Sequence, residues 1–434
     1  MDFLFVIALT VFIVSFLTMV FEFYDKAIVA MGGALLMIIF RVLDFEEAIH
    51  SIDFETIVLL MGMMILVDLA SDSGVFSWLN VKITKVTRGR PWMIYGLFAV
   101  LTMVFSAFLD NVTTMLIIIP IIVSLTKGMG LNSRFFVISL ILFSNIGGAL
   151  TLIGDPPNII IGSAAKLTFN DFIINLSVPI FAVAVVLGSL LAALNWCSLR
   201  PICGNLRKLF VTHLLIEKIE QKFVQIKLEK SFVTSVLSIL CLTLLGFVFQ
   251  SVLNFPVSVI AVTGAIALLV ITTKHSSVHE SFAKIEWPTL FFFIGLFIMV
   301  HGLEKVGLLD MISHGIIGFT DDYLTLLLMI LWLSGIVSML LDNIPFVTVM
   351  IPVIFQIQAT LPGTVDPTML WWALSLGACL GGCGTPIGAS ANVVSLGLAK
   401  KAGVKIGFLE YMKYGLPLTI VALSICSVYF WIVI

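Results

Sequence analysis

Ser106-Ala-Phe-Leu-Asp110-Asn111-Val-Thr113-Thr114 and Asn145-Ile-Gly-Gly-Ala-Leu-Thr151-Leu-Ile-Gly154-Asp155-Pro156-Pro157-Asn158 decide how this chain folds. Both place carboxylate, amide, hydroxyl and glycine inside stretches otherwise apolar enough to span a membrane. Polar groups at membrane depth are costly unless they face protein, water or a ligand, so such clusters mark a binding site or an ion path.

The surrounding composition agrees. Of 434 residues, 60% are hydrophobic and 11% charged, where a soluble globular chain has roughly 25% charged residues. The sequence therefore reads as an integral, multi-pass membrane protein, in the cytoplasmic (inner) membrane if the source is prokaryotic. A net charge of -2 supplies no basic surface for nucleic acid. The six cysteines show neither a disulfide framework nor a zinc spacing, and most read as small packing residues. Phe3 to Val20 follows an acidic Asp2 and lacks a small-residue cleavage site, so it reads as a membrane helix. No G-x-x-x-x-G-K-[ST] loop occurs, which excludes ATP-driven transport by this chain alone.

Twelve apolar segments fall into two sets of six with the same rhythm, and residue matches at an offset of 232 to 234 tie the sets together. Leu109-Asp110-Asn111 corresponds to Leu341-Asp342-Asn343, and Gly147-Gly148, Thr151, Gly154 and Asn158 correspond to Gly381-Gly382, Thr385, Gly388 and Asn392. A period this long indicates a duplicated half-transporter. The expected division is a first repeat over 1–196, a cytoplasmic linker over 197–231 and a second repeat over 232–434. Within the linker, Ile216, Ile219, Phe223 and Ile226 recur at helical spacing among lysines, as in a helix on the inner leaflet or a solvated connector.

In each half the fourth segment is about 34 residues, too long for one crossing of roughly 20 residues, and Asp-Asn interrupts it. It is predicted to be a re-entrant helical hairpin. The fifth segment is broken by glycines and prolines, which is tolerated at depth only in a protein-lined setting. The fold class is thus all-α and polytopic: two inverted repeats, each of about five transmembrane helices plus one re-entrant hairpin, with broken helices at the midplane. Five crossings per half invert the second half. With both termini extracytoplasmic, 20 of the 23 lysines and arginines fall on the inside, as the positive-inside bias requires.

Free carbonyls and half-helix N-termini at such breaks bind cations and anions respectively, and Thr, Asn and Asp add hard oxygen ligands. The candidate substrate- and ion-binding residues are Asp110, Asn111, Thr113, Thr114, Asn145, Thr151, Gly154, Asp155, Asn158, Asp342, Asn343, Thr385, Gly388, Ser390 and Asn392. Asp155 has no acidic counterpart, since Ala389 stands there, and it either takes part in function or caps the helix resuming at Pro156. Asp68, opposite His301 in the repeat, reads as a solvated helix-end carboxylate. Cys379 and Cys383, one turn apart, read as packing residues beside Gly381 and Gly382 rather than thiophilic ligands.

At these motifs, and at Gly377-Ala-Cys-Leu-Gly-Gly-Cys-Gly-Thr385-Pro-Ile-Gly388-Ala-Ser-Ala-Asn392, the chain resembles the ArsB/NhaD group of the ion transporter superfamily, which includes citrate-transporter-like proteins. The likeness spans essentially the whole chain and points to the P-protein branch. It implies a scaffold domain and a mobile transport domain carrying the hairpins, in a homodimer working as an elevator. In sodium-coupled relatives Ser-Asn-Thr motifs at the hairpin tips bind sodium and substrate. Here Asp110 and Asp342 replace Ser, and Pro345 replaces Thr in the second tip.

The expected function is therefore a secondary active transporter, not an enzyme. It would move a small anion or oxyanion such as arsenite across a lipid bilayer without a cofactor. The coupling ion is a proton, or sodium held through Asp110, Asn111, Asp342 and Asn343. The alternatives are a sodium/proton antiporter, an ion channel, and the membrane subunit of a pump with a cytosolic ATPase partner.

Overall fold

A computed structural model describes residues 3–21, 23–87, 90–199, 230–273, 278–320, 322–361 and 365–434. The predicted linker helix lies outside the described residues. Every regular element among the described residues is a helix, and eight of these helices are long and apolar enough to cross a membrane. In the first half they are α1 (Phe3–Val20), α2 (Lys26–Ile39), α3 (Phe45–His50), α4 (Phe54–Asp72), α5 (Val75–Val86), α6 (Pro91–Phe108), α7 (Asn111–Gly128), α8 (Ser133–Gly148), α9 (Pro156–Ala165), α10 (Phe169–Leu194) and the short α11 (Trp196–Leu199). The second half has α12 (Lys230–Val248), α13 (Gln250–Leu253), α14 (Val257–Thr272), α15 (Val278–Ala283), α16 (Trp287–Lys305), α17 (Leu308–Ile317), α18 (Tyr323–Leu340), α19 (Asn343–Thr360), α20 (Met369–Gly381), α21 (Ser390–Lys401) and α22 (Phe408–Val433).

Apart from α11 and α13, the helices of one half match those of the other in order. The packing is reciprocal as well. Helix α2 packs on α16 while α14 packs on α4, and α21 packs on α7 while α9 packs on α19. A contact of i with j repeated as j with i is the signature of a two-fold relation. Small residues make the first crossing close: Gly33 faces Met299, Gly295 faces Ala30 and Gly302 faces Met37. Residue numbers rise together along this contact, so α2 and α16 run parallel.

The predicted interruptions are present. Helices α6 and α7 meet across Leu109 and Asp110, and α18 and α19 across Leu341 and Asp342, with both leucines extended (ψ near 160°). Each arm has 18 residues, about 27 Å at 1.5 Å per residue. The arms are thus longer than a 34-residue segment folded at its centre suggests. Helix α8 stops at Gly148 and α9 starts at Pro156, while α20 stops at Gly381 and α21 starts at Ser390. Proline is pre-organised for the first turn of a helix, which fixes the restart of α9. Helices α5 and α17 were not foreseen. They are short and lie in the gaps between the most apolar segments, where a search for long apolar runs passes over them.

Candidate functional site

Each hairpin tip rests against the break of its own half through matching bonds. The Ser106 hydroxyl donates to the Ser144 carbonyl at 2.7 Å, and Ser338 donates to the Ala378 carbonyl at 2.6 Å. Thr151 donates to the Ala107 carbonyl, and Thr385 does the same to Met339 at 2.5 Å. Two glycines permit this approach. A Cβ on Gly154 would strike the Gly148 and Ser106 carbonyls, and one on Gly388 the Gly382 and Ser338 carbonyls.

An asparagine closes each break. Asn158 Nδ2 donates to the carbonyls of Ala149 (3.2 Å) and Thr151 (2.9 Å), and Asn392 Nδ2 to those of Gly382 (2.7 Å) and Thr385 (3.0 Å). Breaking a helix strands carbonyls that must find donors when buried, and each amide supplies two. The same asparagines bind the halves together. Asn392 Oδ1 accepts from Asn145 at 2.9 Å, while Asn158 Oδ1 accepts from the Ser375 hydroxyl at 2.6 Å and lies 3.5 Å from the Cys379 sulfur. Cys379 stands where the repeat places Asn145. Reading it as packing overlooked this, whereas Cys383, with its sulfur toward the Leu142 carbonyl, fits the packing role.

Asn111 is buried beside Ser106. With its amide nitrogen turned toward that serine, it donates to the carbonyls of Gly154 (3.3 Å) and Ser144 (3.2 Å). This orientation, assigned from the bonding network, leaves the amide oxygens of Asn111 and Asn145 3.4 Å apart. The Thr114 hydroxyl is buried nearby in sequence and has no hydrogen-bond partner. Thr113 contributes its backbone N–H, which donates to Asp110 at 2.9 Å.

The three candidate carboxylates differ. Asp110 caps α7 through that bond. Asp342 caps α19, accepts from Ser390 Oγ at 3.1 Å and forms an ion pair with Lys26 at 2.5 Å. Asp155 is 4% exposed and occupies the N-cap position of α9 without making a capping bond. Its neighbours are instead the Cys379 thiol and the buried Asn343, with the charges of Asp342 and Asp110 acting on it from either side. Among the described residues no three His, Cys, Asp or Glu side chains are arranged to hold one metal ion. The carboxylates are therefore neighbours rather than joint ligands.

The sequence candidates thus gather at two tip-and-break junctions joined through Asn145 and Asn392. Four participants were missed. Ser106 and Ser338 sit at the repeat offset and could have been found by it. Lys26 and Glu286, whose carboxylate lies within electrostatic reach of Asp110, come from outside both motifs. Asp68 is not simply solvated: it pairs with Lys284 at 3.3 Å.

Residues 16–377 match the model of a family described as "Citrate transporter". The chain belongs to that family. It is 35% identical over 432 residues to a "46 kDa membrane protein" of Mycobacterium leprae, covering 98% of each chain. Over 435 residues it is 36% identical to an uncharacterized transporter of Mycobacterium tuberculosis, again with 98% of each covered. It is also 31% identical to the human P protein, where the match covers 94% of this chain and 58% of that protein. The fold resembles the YdaH transporter of Alcanivorax borkumensis, at a TM-score of 0.58 and 14% identity over 90% of this chain and 89% of that one. The protein is a membrane transporter of the citrate transporter family with several membrane-crossing helices.

Proposed function

We propose that this protein is a cation-coupled secondary active transporter. The observation that carries the reading is the gathering of Asp110, Asp155 and Asp342 with paired asparagine amides at two interlocked helix breaks. Carboxylates held at membrane depth need a proton or a cation to accompany them. The close amide oxygens of Asn111 and Asn145 favour the same partner. Sodium or protons load at the tips, through Asp110 and Asn111 in one half and Asp342 and Asn343 in the other. The cargo is a small anion or oxyanion, arsenite among the candidates, attracted to the N-termini of α9 and α21. Thr151, Gly154, Asn158, Thr385, Gly388, Ser390 and Asn392 shape that pocket.

The reciprocal packing and the parallel run of α2 and α16 support two repeats of opposite orientation, bounded near residues 196 and 232. Both termini then lie outside. In this reading the hairpins and broken helices move as an elevator against α1, α2, α4, α12, α14 and α16, within a homodimer. A second reading, sodium/proton antiport, draws support from the charge balance, because Lys26–Asp342 is the only ion pair to any of the three carboxylates among the described residues.

Uptake into proteoliposomes under imposed sodium and proton gradients separates these readings, with arsenite, citrate, succinate and chloride as cargo panel. Gradient-dependent accumulation of one anion is expected. Sodium-for-proton exchange without anion uptake selects the second reading. Fast, non-saturating flux independent of either gradient would sink both and indicate a channel.

A further inference from the structure

The ion pair between Lys26 and Asp342 joins groups 316 residues apart, on α2 and on the tip of the second hairpin. Its side chains are 33% and 11% exposed. It stands in an open cavity of about 420 Å³. Phe16, Met19 and Phe292 form one wall of that cavity, and Leu341, Pro345 and Ile387 form the other. The first wall belongs to α1 and α16, the second to the hairpin and the break it rests on. Lys26 Nζ therefore reaches across a seam to the tip.

The repeat gives this contact no counterpart. Asp342 corresponds to Asp110, but Lys26 corresponds to Ser258, a neutral hydroxyl. The first tip also has Glu286, not a lysine, within electrostatic reach. A carboxylate cannot be held fully by a fixed ammonium and by a mobile cation at once, because both neutralise the same charge.

We infer that Lys26 is a positioning residue: a tethered cation that neutralises Asp342 in the unloaded transporter and so holds the second tip on α2. Binding of sodium or a proton at Asp342 displaces the ammonium and frees the tip. Because the first tip has no equivalent tether, the unloaded protein rests in this arrangement and not in its repeat-related opposite. A tether closed ten times as often as open lowers the apparent affinity of the coupling ion about tenfold. The inference rests on the proposed role of Asp342 in coupling.

The test uses the full chain in membranes with Met19→Cys and Leu341→Cys, one on each wall, joined by a short bismaleimide and scored by mass spectrometry. Parent crosslinking should be high without sodium and fall severalfold when sodium is added or the pH is lowered. Lys26→Gln should give the low yield in every buffer, Lys26→Arg should keep the parent yield, and Ser390→Ala, which loosens Asp342 without changing charge, should also keep it. Thermal unfolding of each purified variant identifies any that fail to fold. Parent-level crosslinking in a folded Lys26→Gln protein overturns the tether. A low yield in Lys26→Gln with a parent indifferent to sodium and acid supports the tether and overturns the coupling role of Asp342.

Discussion

The two hairpin tips share a frame and differ in what surrounds it. Each has a leucine in extended conformation, an aspartate capping the second arm, an asparagine in its first turn and a serine bonded to the neighbouring break. Yet Asp110 has Glu286 in reach, whereas Asp342 is paired with Lys26. Duplication preserves the backbone geometry needed to bring a tip against a break, because that geometry depends on local glycines, caps and hydroxyls. Charge at the tip depends on whichever helix end lies opposite, and there the halves have diverged.

Neutralising the tips gives the largest expected effect. Asp110→Asn and Asp342→Asn should each abolish gradient-driven accumulation, since Asn retains shape and hydrogen bonding without the titratable charge. Their stabilities should diverge. Asp342→Asn leaves an ammonium unpaired and should lower the melting temperature. Asp110→Asn keeps a good N-cap and removes repulsion toward Glu286, so it should be neutral or stabilising. A double-mutant cycle with Lys26→Gln should show coupling only for Asp342. Equal melting shifts for the two tips would erase the comparison, and full accumulation in both mutants would move the coupling site to Asp155.

Next come the asparagines that close the breaks. Asn158→Ala and Asn392→Ala each remove two bonds to stranded carbonyls and one across the halves. At about 1 kcal/mol per bond, both should cost roughly 2–3 kcal/mol, with similar shifts in denaturant midpoint. A large difference would show that the breaks are less alike than their geometry.

The repeat offset made these breaks, the tip aspartates and both closing asparagines legible before any coordinates, because each is set by residues close in sequence. It did not reveal Lys26, Glu286 or the role of Cys379. The first two depend on how the halves dock, which no local pattern encodes. Cys379 was hidden for a different reason: it replaces Asn145 with a residue whose commonest buried role is packing, so its type argued against its position.

A smaller effect distinguishes the glycines at the junctions. Overpacking costs about 1–3 kcal/mol, and Gly154→Ala should lie above Gly388→Ala because its added Cβ would come within 2.6 Å of a carbonyl, against 2.9 Å at Gly388. The reverse order in thermal melts would mean that the first tip yields more easily.

The smallest concerns Glu286, whose carboxyl is pushed up by the surrounding protein and then by the Asp110 charge. A raised carboxyl favours the protonated folded state. Its stabilising contribution is present below the ordinary glutamate range and is lost as pH rises through the shifted value. Glu286→Gln should flatten that slope by a few tenths of a kcal/mol, because water screens its exposed edge. An unchanged pH profile of melting would separate Glu286 from the first tip.

The cross-half bonds also bear on how the protein is made. Asn158 waits for Ser375, which is 217 residues later in the chain. At 5–20 residues per second of synthesis, that delay is on the order of 10–40 s. For that interval the first half sits in the bilayer with an amide and a buried carboxylate lacking their final partners. The newborn chain must shelter them with water, lipid headgroups or a membrane chaperone, and the pocket becomes whole only when the second broken helix arrives.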